Sequence, residues 1–93
     1  MRADRRDAND ASLAAIARQV GAYVVKMRPG QGCDWVMVHR GRVFIVEVKD
    51  GAKPPSARRL TKEEQELKDQ CEYRGVTYHV VESETALRRV LGV

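Results

Sequence analysis

The sequence predicts an α/β domain, one mixed β-sheet with helices packed on it, in the order α-β-β-β-α-β-α. Three observations carry that reading. Apolar residues recur at helical spacing near the N-terminus, two β-rich runs flank Arg40-Gly41, and Thr61-Lys62-Glu63-Glu64 opens a further helix. None of these elements can bury its apolar side alone, so a sheet covered by helices is the natural packing.

In chain order, residues 1–8 read as a polar lead-in and residues 9–93 as a single domain. From about Asn9 to Val20, the apolar residues Leu13, Ile16, Ala17 and Val20 fall on one helix face, and Gly21 supplies a stop. Tyr23-Val24-Val25-Lys26-Met27 is a strand, ended by the flexible loop Pro29-Gly30-Gln31-Gly32. Residues 34–39 and 42–49 form a hairpin about Arg40-Gly41, and residues 50–56 break the sheet. The Thr61 hydroxyl can accept from the Glu64 amide while the Glu64 carboxylate accepts from the Thr61 amide, which starts a helix running to about Arg74 with Gly75 as its cap. Val76 to Val81 is the fourth strand. Ser83 caps a last helix with Leu87, Val90 and Leu91 on its apolar side.

Ninety-three residues make one small domain whose core has little stability to spare. No apolar run approaches the ~20 residues that span a bilayer, and the N-terminus has no apolar segment of the signal-peptide kind. A cytosolic protein without membrane association is expected. Cys33 and Cys71 fit a reducing compartment, and with His39 and His79 they show no close Cys/His pairing of the kind zinc requires. Cys71 is expected to be a small core residue and Cys33 to sit at a strand edge. Trp35, the single tryptophan, is expected in the core or an interface, His39 beside the turn exposed, and His79 packed or at an edge. The formal charge is +4 and uneven: Lys53, Arg58, Arg59 and Lys62 occur within residues 53–62 with no acid among them. Such a loop suits a phosphate backbone, or is simply solvated.

The densest chemistry lies in Glu47-Val48-Lys49, at the end of the apolar run Val43-Phe44-Ile45-Val46. Side chains alternate along a strand, so Glu47 and Lys49 share a face. Opposed residues of an antiparallel pair have a constant sum of numbers. A two-residue Arg40-Gly41 turn, or a four-residue loop from His39 to Arg42, therefore sets Asp34 opposite Glu47, with Cβ atoms ~5 Å apart. A three-residue turn would send Glu47 to the other face. Two carboxylates that close call for a positive charge between them, and a hard cation such as Mg²⁺ fits one or two carboxylates plus waters and phosphate oxygens. Lys49 could then hold a water or steady charge developing on phosphate. An ordinary cross-strand ion cluster on a solvated face would satisfy the same spacing.

Gly32-Cys33-Asp34 followed by Glu47-Val48-Lys49 resembles the PD-(D/E)xK nuclease signature, on the α-β-β-β-α-β core usual for that superfamily and for restriction-endonuclease-like folds. The stretch Val46 to Gly51, Lys53-Pro54-Pro55-Ser56, Arg59-Leu60-Thr61 and Glu64-Gln65 resembles the small phage and prophage nucleases near the VRR-NUC branch, in which a Leu-(Ser/Thr)-x-x-Gln-type segment follows the Glu-x-Lys strand. The resemblance spans nearly the whole chain. It implies metal-dependent hydrolysis of DNA phosphodiesters with Mg²⁺, and Mn²⁺ also supporting activity, in a bacterial or phage-infected cell. By position, Asp34, Glu47 and the backbone carbonyl of Val48 would be metal ligands, Lys49 the catalytic lysine, and Gln65 a residue reaching toward the site. Asp10 is the best match to an auxiliary acid on the first helix, with Asp7 an alternative; either could instead be a charge favouring the helix dipole. Lys53, Arg58, Arg59 and Lys62 would contact DNA. A homodimer and a branched or junction substrate follow from the same resemblance, with a plain endonuclease or nickase close by. The sequence departs at Cys33, where the family usually has proline, a residue that shapes the turn. Two readings from other classes are a catalytically silent nucleic-acid-binding module on this scaffold, and a structural protein whose basic loop binds an acidic partner.

Overall fold

A computed structural model describes residues 8–93. Most of the lead-in assigned to residues 1–8, together with Asp7, lies outside the described residues. The elements are α1 (Asp10–Gln19), β1 (Tyr23–Lys26), β2 (Trp35–His39), β3 (Arg42–Val48), α2 (Lys62–Tyr73), β4 (Tyr78–Val81) and α3 (Glu84–Leu91), with a single 3-10 turn at Pro55–Arg58 before α2. The strands form one mixed sheet in spatial order β1-β2-β3-β4, antiparallel except for the β3–β4 pair. Element order and sheet composition are those the sequence predicts: a small α/β fold with a four-stranded mixed sheet and three helices.

The hairpin fixes the register. Arg40 and Gly41 both take positive φ, 50° and 79°, and His39 pairs with Arg42 across them. Two positive-φ residues are the mark of the type I′ turn whose twist matches paired strands, and glycine takes the second position without steric cost. Every β2–β3 pair then sums to the same number, from Val38↔Val43 to Trp35↔Val46.

Alternation divides the sheet into two faces with different fates. On one, Val24, Trp35, Met37, Phe44, Val46, Val48 and Val81 pack with Leu13, Ala14 and Ala17 of α1 and Leu87 and Leu91 of α3 as a single core. Among the described residues, α2 is the one helix on the opposite face, where it lies over β4 and contributes no buried residue. Cys71, expected as a core residue, is half-buried on α2 and outside that core, because α2 lies on the thinly covered side.

His39 corrects its expectation: it is 4 % exposed, with Nε2 3.2 Å from the Val20 carbonyl oxygen. It has the parity of Trp35 and Met37, so it points beneath the end of α1 and away from water. Among the described residues, no helix is long and apolar enough to cross a membrane.

Candidate functional site

At the end of the sheet beyond the last β2–β3 pair, the chain places Asp34 immediately before β2 and Lys49 immediately after β3. The β3–β4 ladder continues past the formal strand ends, the Lys49 amide donating to the Val81 carbonyl at 3.0 Å, whereas the Asp34 amide donates to the Val46 carbonyl at 2.9 Å, one residue out of the hairpin register. Asp34, Glu47 and Lys49 all line one cleft, Glu47 and Lys49 from alternate positions on one face of the β3 end. Asp34 is pinned further: its Oδ2 accepts the Val48 amide at 2.8 Å. A strand residue presents its N–H and C=O to the same side, so the Val48 carbonyl is also directed to the Asp34 side.

Above these residues opens a cleft of about 320 Å³. Arg28, Pro29, Gly30 and Gly32 form one wall, Asp34, Glu47 and Lys49 the floor, and Ala57, Thr61, Glu63 and Glu64 the other wall. Gly32 is needed where the walls meet. Its φ is 91°, and a Cβ there would stand 3.0 Å from Leu67 Cβ and 3.1 Å from the Glu63 carbonyl oxygen.

The charges on the floor are tightly coupled. Lys49 Nζ lies 2.9 Å from Glu64 Oε1 and 3.4 Å from Glu47 Oε2. Glu47 is 3 % exposed, and its carboxyl is pushed up to about 9, first by burial, then by the charges of Asp34 and Glu64 and its bond with Glu64, with Lys49 only partly opposing. Burial also acts to lower the Lys49 ammonium, but the bond to Glu64 and the charges of Glu47 and Glu64 leave it above its ordinary range. For Glu64, burial would raise the carboxyl, yet the bonds from Lys49 and the Thr61 amide hold it below the usual value. Burial, followed by Glu47 and Asp34, drives the Cys33 thiol up to about 11, so it is no thiolate nucleophile near neutral pH.

α2 sends Glu64, and not Gln65, into this cluster. The Gln65 amide donates to Asp69 Oδ1 at 2.9 Å on the exposed side of α2, and the residue does not line the cleft. The capping box forms as predicted: Glu64 accepts from the Thr61 amide at 2.8 Å and its own amide donates to Thr61 Oγ1 at 3.2 Å. That box held the missed signal. It aims the Glu64 carboxylate back at the first turn, which abuts the cleft, while the next residue along turns away.

Asp10 also leaves the site set. It is 2 % exposed, accepting from Lys26 Nζ at 2.6 Å and from Trp35 Nε1 at 3.0 Å. Lys26 and Trp35 are cross-strand partners on the core face, so Asp10 is held on the opposite side of the sheet from Asp34 and Glu47. Its neighbour Asn9 does reach the site's backbone, donating from Nδ2 to the Lys49 carbonyl at 3.2 Å.

In the basic loop, Lys53, Arg59 and Lys62 are exposed. Arg58 instead braces the 3-10 turn, donating to the Lys53 carbonyl at 2.7 Å and to Glu82 Oε2 at 3.1 Å. Arg28, unmarked in the sequence because it stands outside the basic run, is an exposed cation on the opposite lip of the cleft.

Among the described residues, no group of three or more His, Cys, Asp and Glu side chains is arranged to hold a metal ion. A Mg²⁺ site of one or two carboxylates completed by carbonyl, water and phosphate oxygens does not require one. Asp34, Glu47 and the Val48 carbonyl supply a hard-oxygen donor set, and the buried Glu47 carboxyl lacks enough positive charge around it to stay ionised. The residues present therefore fit a hard divalent cation. No known protein family, curated protein or solved structure matches the chain.

Proposed function

We propose that the protein is a metal-dependent DNA endonuclease of the PD-(D/E)xK type, on a restriction-endonuclease-like variant of the α/β fold. One observation carries the reading: Asp34, Glu47 and Lys49 come together in one cleft at the end of the sheet, with Lys49 Nζ 3.4 Å from Glu47 Oε2. In this reading Asp34, Glu47 and the Val48 carbonyl would hold Mg²⁺ or Mn²⁺. When bound, such a cation would supply Lewis-acid polarisation of the phosphodiester and a lowered pKa for water. Lys49, kept cationic by Glu64 and Glu47, donates a hydrogen bond to the attacking water or to a non-bridging phosphate oxygen. Glu64 fixes where that ammonium can reach. Arg28 on one lip, with Lys53, Arg59 and Lys62 beyond the other, carries the phosphate backbone past the floor.

The 2.9 Å bond between Lys49 and Glu64 favours a second reading, in which the cluster is self-neutralised and the chain binds nucleic acid without cutting it. Incubation with supercoiled, linear and four-way-junction DNA in Mg²⁺, Mn²⁺ or EDTA separates the two. Cleavage in either metal that stops in EDTA is the expected outcome, and preference for the junction would establish structure selectivity. Tight binding without a cut in any condition would replace the nuclease with the binding module.

A further inference from the structure

The hairpin ladder does not by itself fix the direction of the Asp34 carboxylate. The Asp34 amide donates to the Val46 carbonyl of β3 at 2.9 Å, while its carbonyl accepts from the Met27 amide, on the β1 side, at 2.8 Å. A residue in a regular strand presents both groups to the same side. The backbone therefore turns at Asp34 as it does at a bulge, a device that re-aims a side chain. The segment feeding this turn is conformationally free by composition. Gly30 and Gly32 both take positive φ, 84° and 91°, and glycine loses more backbone freedom on ordering than any other residue. Whatever anchors that segment also sets where Asp34 points.

Tyr78 reaches the segment from the far side of β3. It is the register partner of Ile45 in the parallel β3–β4 pair, and it is 4 % exposed. Its hydroxyl donates to the Gly32 carbonyl at 2.5 Å, so the phenol bridges from β4 across β3 to the residue two before Asp34. α2 presses on the same residue: a Cβ on Gly32 would stand 3.0 Å from Leu67 Cβ and 3.1 Å from the Glu63 carbonyl oxygen. Gly32 is thus wedged between Tyr78 and the helix that carries Glu64. Burial first, then the charges of Glu47 and Glu64, push the phenol well above its ordinary value, so it remains a donor at neutral and mildly alkaline pH. We infer that Tyr78 is a positioning residue, whose hydroxyl anchors Gly32-Cys33-Asp34 and so holds the Asp34 carboxylate against the Val48 amide. A phenylalanine would fill the same space beneath α2, and only the hydroxyl ties the loop to the sheet. The role of Asp34 as a ligand rests on the nuclease reading; the tie from Tyr78 does not.

Tyr78→Phe keeps the ring and deletes the tie. Amide hydrogen exchange of the metal-free full chain, read by NMR, separates positioning from stability. The Val48 amide donates to Asp34 Oδ2, whereas the Lys49 amide beside it donates to the Val81 carbonyl. In the variant the Val48 amide is expected to exchange at least ~10-fold faster after the change at Lys49 is divided out, the factor that one lost buried hydrogen bond corresponds to. Equal acceleration of both amides, or none at Val48, would overturn the inference. Calorimetric Mn²⁺ affinity is expected to fall ~10-fold in the variant, and kcat on DNA to fall with KM unchanged. A variant equal to wild type in both would overturn it too. A wild type that binds no Mn²⁺ and cuts no DNA would end the nuclease reading, while the exchange comparison still decides the role of Tyr78. Should Tyr78→Phe fail to fold, the wild-type hydroxyl proton decides. Slow exchange with water is expected for Tyr78, and exchange as fast as at Tyr23 and Tyr73, which are 70 % and 86 % exposed, would overturn the tie.

Discussion

Replacing Glu47 by glutamine should stabilise the metal-free protein while abolishing its response to Mg²⁺. The folded chain holds a proton on Glu47 up to about pH 9, against an ordinary value of 4.5. The folded state thus binds that proton more tightly than the unfolded state. This contribution to stability is full below about pH 4.5, declines as pH rises, and is gone above about pH 9. At about pH 7.5, three pH units of protonation work at ~1.4 kcal/mol each set a ceiling of ~4 kcal/mol. The coupling of Glu47 to Glu64 and Lys49 spreads this over the cluster, which brings the expected gain for Glu47→Gln to ~2 kcal/mol. In a domain of this size that raises the melting temperature by ~10 °C. Thermal unfolding in EDTA from about pH 5 to pH 9 reads both effects: the wild-type melting temperature should fall across the range, and the variant's fall should be much shallower. Millimolar Mg²⁺ should raise the wild-type value, most strongly at high pH where no proton need be displaced, and leave Glu47→Gln unmoved. A variant less stable than wild type at about pH 8 in EDTA would refute the claim that uncompensated negative charge sits on Glu47.

The adjacent α2 residues give a sharp contrast. Glu64→Gln preserves the capping box but removes the charge that fixes Lys49, so single-turnover cleavage should fall ~10-fold with stability changed by less than ~1 kcal/mol. Gln65→Ala should change neither beyond ~0.5 kcal/mol, and a large loss of cleavage would return Gln65 to the site. Asp10→Asn should cost ~2 kcal/mol in chemical denaturation, through the weakened bond to Lys26, while the folded fraction cleaves at the wild-type rate. A selective loss of cleavage would make Asp10 a ligand after all. Arg59→Ala should weaken DNA binding and reduce the slope of log affinity against log salt by ~1. An unchanged slope would mean that Arg59 is only solvated.

The hairpin register was legible because a two-residue Arg40-Gly41 turn and a four-residue loop share one pairing sum, and the I′ geometry of that turn enforces it. Local chemistry also placed Thr61 and Ser83, since each hydroxyl satisfies an amide within its own first turn. What escaped were directions set by tertiary packing. Glu64 and Gln65 differ by about 100° around the helix; the capping box turns Glu64 back over the first turn, but that this turn abuts the cleft is set by how α2 docks. Asp10 was placed with the wrong partners because nothing on α1 says which sheet face it will cover. His39 was misplaced by its nearness to the turn, although its parity with Trp35 and Met37 pointed inward. Arg58 looked equivalent to Arg59 until the chain brought Glu82 alongside it.

The central claim, that Asp34, Glu47 and Lys49 form a metal-dependent hydrolytic site, is tested most directly by strand scission of end-labelled DNA. Purified wild type and Lys49→Ala should be compared side by side in Mg²⁺, each with an EDTA control and with folding verified by circular dichroism. The predicted result is cleavage by wild type that EDTA abolishes and that Lys49→Ala lowers by at least ~100-fold. Equal rates for the two proteins, or cleavage indifferent to EDTA, would contradict it.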